Sequence, residues 1–158
     1  MADTKGSTKR TSPAKTTGDV LSDVERAAMQ EAVRERKKAA KLTPEEARAE
    51  GEAHVQAKIA EMPEDDRAMA GRIHELVVAA APHLVPRTFY GMPAYAKDGK
   101  VICFYKPASK FKVRYSTFGF QPDARLDDGE MWPVAHAVTS LTAAGERQIT
   151  ELVKKAAG

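Results

Sequence analysis

The chain has 158 residues, with 25 Lys and Arg against 22 Asp and Glu, 42% apolar residues, 6% aromatics and a single cysteine. That length suits one domain of roughly 100–150 residues with its own core, plus a tail. One cysteine excludes an intrachain disulfide framework and a thiolate zinc site. No apolar run approaches the ~18 residues that span a bilayer, and the first thirty residues lack a signal-peptide core, so the expectation is a soluble, cytoplasmic protein with no membrane partner.

The formal charge of +3 is unevenly placed. Residues 1–18 hold Lys5, Lys9, Arg10 and Lys15 against Asp3, and the rest of the chain carries 21 basic and 21 acidic groups. The tail 1–18 is built of Ser, Thr, Lys, Gly and Pro with nothing to bury, which predicts disorder. Four charges support only weak phosphate contact, so specific nucleic-acid binding is not expected.

A charged helical extension, 19–51, follows. Ser22-Asp23-Val24-Glu25 matches a capping box, and good helix formers run from there to about Lys41. The apolar stripe is thin, with Val24, Ala28 and Ala32 in line, and basic residues gather at the C-terminal end. Thr43-Pro44-Glu45-Glu46 starts a second helix toward Met62, presenting Val55, Ile59 and Met62 on one side. Gly51, the last residue of that extension and just ahead of the main domain, 52–158, costs about 1 kcal/mol in a helix interior, which predicts a break or bend there. Pro63 resets the chain, and Glu64-Asp65-Asp66 fills the first turn of a third helix. Met69, Ile73, Leu76, Val77 and Ala80 give it the strongest helical stripe in the protein before Pro82 ends it.

Beyond Pro82 the pattern turns extended and aromatic. Asp98-Gly99 between two apolar stretches predicts a hairpin on a type I′ turn. A short connection at Lys106–Lys110 then returns the chain as a third strand, with Phe111, Val113 and Tyr115 alternating with Lys112, Arg114 and Ser116. A two-residue turn pairs Lys97 with Lys100, Ala96 with Val101, Tyr95 with Ile102 and Ala94 with Cys103. One face then reads Ala94, Ala96, Val101, Cys103, Tyr105, Phe111, Val113 and Tyr115, a core face. The other reads Tyr95, Ile102, Phe104, Lys112 and Arg114, an open face of aromatic and cationic groups suited to an anionic or flat ligand. Long basic stems covering apolar residues on a solvated face give the same pattern.

The chemistry-bearing residues are sparse. Cys103 falls mid-strand between Ile102 and Phe104 and reads as a buried, inert thiol. His54, His74, His83 and His136 lack metal-ligand spacing, and no nucleophile–base pair or nucleotide-binding motif stands out, so an enzyme is not indicated. Asp127, Asp128 and Glu130, after Pro122, are the densest carboxylates beyond the sheet and are the oxygen ligands available to a hard cation. Residues Trp132–Val138 suit a further strand at an edge, and Thr142 starts a last helix with Ile149, Leu152, Val153 and Ala156 inward. The fold class is therefore α+β: one antiparallel sheet of three to five strands packed against N- and C-terminal helices.

The run Tyr90-Gly91-Met92-Pro93-Ala94-Tyr95, with Gly99-Lys100-Val101 and Phe104 after it, resembles the YdhG-like family of small bacterial domains. The similarity covers roughly residues 52–157. It implies a compact α+β domain, and in one branch a frataxin-like iron chaperone that hands on iron. Two functional readings stay open. One is an intracellular iron-chaperone-like carrier with Asp127, Asp128, Glu130 and the Glu64-Asp65-Asp66 triplet as ligands. The other is a non-enzymatic module that binds an anionic small molecule or peptide through Tyr90, Met92, Tyr95, Phe104, Lys112 and Arg114.

Overall fold

The computed structural model describes residues 22–39 and 42–158; the predicted tail 1–18 lies outside them. Five helices, α1 (Asp23–Ala39), α2 (Pro44–Ala60), α3 (Glu64–Ala80), α4 (Ala108–Phe111) and α5 (Ala143–Ala157), accompany five strands: β1 (Val85–Phe89), β2 (Met92–Lys97), β3 (Lys100–Lys106), β4 (Ser116–Phe120) and β5 (Ala135–Val138). The strands form one antiparallel sheet in chain order, β1-β2-β3-β4-β5. The expected α+β class and flanking helices are both present.

The helix starts follow their local signals. Ser22 Oγ accepts the Glu25 N–H. Thr43 and Glu46 close a reciprocal capping box at 3.0 and 3.2 Å, and Thr142 Oγ1 accepts the Gly145 N–H. Each satisfies backbone donors that a helix N-terminus leaves free. The break expected at Gly51 does not occur. α2 runs straight through, and Gly51 is buried where the helix presses on β1, so a Cβ there would overlap the Pro86 carbonyl oxygen. The glycine serves close approach rather than flexibility.

The Asp98-Gly99 hairpin is as expected, with φ of 51° and 78° at the two turn residues. Its register holds for Lys97↔Lys100 and Ala96↔Val101 and then slips. Tyr95 pairs with Cys103 and Ala94 with Phe104, so Ile102 is the extra residue of a bulge. The slip moves Tyr95 off the open face and Ala94 onto it. The third strand is also displaced. Residues 108–111 form the short α4, Lys112 takes a left-handed conformation at its end, and β4 begins only at Ser116. Val113 and Tyr115 are exposed rather than core.

A buried polar cluster explains that displacement. Asp66 of α3 accepts the Ser109 N–H at 3.1 Å, the Ser109 hydroxyl, and the Ser116 hydroxyl at 3.3 Å. Ser116 Oγ in turn accepts from Tyr105 and from the Ala108 N–H, each at 3.0 Å. These bonds fix the α4 turn, and a buried carboxylate must find such donors. The core lies on one sheet face, where Tyr95, Cys103, Tyr105, Phe118 and Phe120 meet Val55 and Ile59 of α2, Ile73 and Val77 of α3, and Ile149 and Val153 of α5. Burial pushes the Tyr105 phenol up to about 12 and the Cys103 thiol well up, and the cysteine is buried as expected.

Candidate functional site

The register assembles the opposite face. Residues paired across antiparallel strands share a side, so Arg87, Ala94, Phe104, Gly119 and Ala135 form one row across the sheet. Phe89 and Met92 lie together beside it, as do Lys106, Thr117 and Ala137, while Val85, Ala96 and Val101 form the row toward the Asp98-Gly99 turn. None of these strand residues is acidic.

The face is paved by its own side chains. The Phe104 ring lies directly on Gly119, where any Cβ would collide with it. Phe89 sits 6.0 Å from Phe104 and meets the Tyr90 ring edge-on at 4.5 Å. Arg87 donates to the Gly99 carbonyl at 3.5 Å. Lys106 stands 4.9 Å over Phe111. Arg87, Phe89, Phe104, Lys106 and Phe111 are all half-buried and reach solvent. Rings with cations at their margins attract anions and flat π systems.

Of the six ligand candidates from sequence, Met92 and Phe104 lie on this face. Tyr90 stands at its end, in a two-residue turn with Gly91 in which both φ values are positive, 52° and 73°. Tyr95 does not join them. It is 1% exposed in the core and bonded to His74 Nδ1 at 2.9 Å. Lys112 is exposed at the end of α4, and Arg114 is exposed over the Tyr115 ring at 5.2 Å; neither belongs to a strand. Sequence reasoning missed Arg87, Phe89 and Lys106. The alternation Val85, Arg87, Phe89 ahead of Gly91 was the signal for the first two.

The core side holds a relay. Glu52 Oε1 accepts from His74 Nε2 at 2.8 Å and from Gln56 at 3.0 Å, and His74 Nδ1 meets the Tyr95 hydroxyl. Desolvation pushes the Glu52 carboxyl up, but the bonds from Gln56 and His74 outweigh it and hold the group below its ordinary range. The imidazole thus has a hydrogen-bond partner at each ring nitrogen, Glu52 at Nε2 and Tyr95 at Nδ1. It ties α2, α3 and β2 together, with the partly exposed Glu52 carboxylate at its outer end.

The carboxylates are dispersed. Asp127, Asp128 and Glu130 are exposed in the segment between β4 and β5. Glu64 and Asp65 are exposed in the first turn of α3, while Asp66 is spent on the α4 turn. Among the described residues no three His, Cys, Asp or Glu side chains are grouped to hold a metal ion. No described helix is long and apolar enough to cross a membrane. No protein-family model, curated protein or solved structure matches the chain.

Proposed function

We propose that the protein is a non-enzymatic binding module that holds an anionic ligand with a flat apolar part on the open sheet face. One observation carries this reading: the strand register collects Arg87, Phe89, Phe104 and Lys106 on a single half-exposed face with no acidic strand residue among them. An aromatic floor takes the flat part by stacking, and the two cations take the charge in a low-dielectric margin where such contacts strengthen.

The probe is 2-naphthoate, followed by amide shifts in the full chain. Saturable shifts confined to β1 through β4 are expected, weakened at least fivefold by Arg87→Gln with Lys106→Gln. Shifts indifferent to that double variant would refute the reading. The resemblance to YdhG-like domains supports the iron-carrier alternative instead. Saturable ferrous binding that Asp127→Ala with Asp128→Ala removes, with no naphthoate binding, would favour it, because hard cations need oxygen donors.

A further inference from the structure

A second constellation lies where α1 meets the ends of α2 and α4. Glu31 of α1 bridges two lysines: its Oε1 stands 2.6 Å from Lys58 Nζ and its Oε2 stands 3.9 Å from Lys110 Nζ. Lys110 also donates to the Gly91 carbonyl at 3.0 Å. Around them is a cavity of about 460 Å³ whose walls include Met62, Pro63, Pro107 and Ser109. Gly91 is what leaves room, since a Cβ there would overlap both the Lys110 ammonium and the Glu31 carboxylate.

We propose that Lys58 and Lys110 form a binding site for an oxyanion, carboxylate or phosphate, and that Glu31 occupies it as an internal ligand which an external one displaces together with α1. The proposal does not rest on the open-face reading, which uses Arg87 and Lys106.

Two observations make α1 displaceable, and a third leaves the lysines receptive to another anion. Of its described side chains only Ala28 and Ala32 are buried, while Met29 and Val33 are 47% and 50% exposed, so little apolar area holds it. Glu35 Oε1 is buried without a hydrogen-bond partner among the described residues, and desolvation pushes that carboxyl up against the pull of the Thr88 hydroxyl. A buried oxygen left unpaired works against docking. On the other side of the bridge, burial pulls the Lys110 ammonium below its ordinary range despite the opposing influence of Glu31. The cation is incompletely neutralised, which favours an incoming anion of higher charge. Lys58 is the better served, paired also with Glu61 at 3.7 Å.

The consequence is competition, and an internal ligand weakens an external one by the fraction of time the site is occupied. Amide hydrogen exchange on the full chain tests it, with inorganic phosphate and acetate each compared with chloride at equal ionic strength. In the wild type, phosphate should speed exchange across residues 23–39 severalfold and leave α3 and β3 unchanged. Glu31→Gln should speed exchange there without any anion and tighten phosphate at least threefold. Lys58→Gln with Lys110→Gln should speed exchange yet abolish the phosphate effect. An acetate effect as large as that of phosphate would identify a carboxylate site, and a larger phosphate effect a phosphate site. Equal acceleration by chloride, or phosphate binding unchanged by Glu31→Gln while α3 stays protected, would overturn the proposal.

Discussion

Replacing Gly51 by Ala sets two physical effects against each other. Intrinsic helix propensity favours Ala by about 1 kcal/mol in a helix interior, and α2 is continuous through this position. The packing opposes it. A Cβ would overlap the Pro86 carbonyl oxygen, stand 3.0 Å from the Pro86 carbonyl carbon and lie 3.6 Å from Arg87 Cα. These obstacles are backbone and cannot rotate away, so α2 must lift off β1 and draw Val55 and Ile59 with it from the core. Overpacking costs ~1–3 kcal/mol, and separating two buried aliphatic side chains from their neighbours adds to it. We expect a net loss on the order of 1–2 kcal/mol after the propensity gain is counted. Gly71, midway along α3, is the control, because a Cβ there meets nothing within 4 Å. Gly71→Ala should stabilise by ~0.5–1 kcal/mol. Urea unfolding reads both, with m unchanged. A Gly51→Ala midpoint at or above wild type would refute the close-approach account.

Asp66→Ala should cost about 2–3 kcal/mol, because it strips the acceptor from Ser109 and Ser116 together, and exchange protection should fall first in α4; a change confined to α3 would contradict the anchoring role. Tyr95→Phe removes the hydroxyl bonded to His74 Nδ1 and should cost ~1–2 kcal/mol in the same unfolding assay, whereas an unchanged midpoint would mean that the imidazole is satisfied elsewhere. Glu52 is held below its ordinary range in the fold, so its stabilising share is present above the unfolded value near 4.5 and is lost as pH falls through the lower folded value. Glu52→Gln should therefore flatten the acid limb of a stability-versus-pH curve. Glu35 has the opposite sign: its share is present below about 4.5 and is lost as pH rises through its elevated folded value, so Glu35→Gln should raise stability at neutral pH.

Elements whose signals are local were legible. The Thr43–Glu46 box, the Asp98-Gly99 turn and the Thr142 cap each depend on residues within a few positions, and the structure bears out all three. The failures have non-local causes. Phe111, Val113 and Tyr115 alternate like a strand, yet Asp66, more than forty positions earlier in the chain, collects Ser109 and Ser116 and winds residues 108–111 into a helical turn. Propensity yields there to a buried carboxylate that requires donors. The Tyr90-Gly91 turn was missed because a tyrosine with positive φ is uncommon, and nothing adjacent announces it.

The candidate site was less legible than the fold for a geometric reason. Side chains alternate with a period of two, so a single extra residue exchanges the faces beyond it. Ile102 is that residue. Counted outward from the turn, the expected register matches the structure for two pairs, after which the bulge places Tyr95 with Cys103. An expected ligand-face tyrosine thereby became the core partner of His74, and Arg87 came into line with Phe104 through Ala94. The bulged register gives up local ladder pairing, and the core is what demands it. With Tyr95 outward, His74 would lose its hydroxyl partner and the space among Val55, Ile73 and Val77 would be left to an alanine, a large-to-small change of the kind that costs several kcal/mol. The open face is thus fixed from behind: the packing demands on its reverse side decide that Phe104 and Arg87, and not Tyr95, face solvent together.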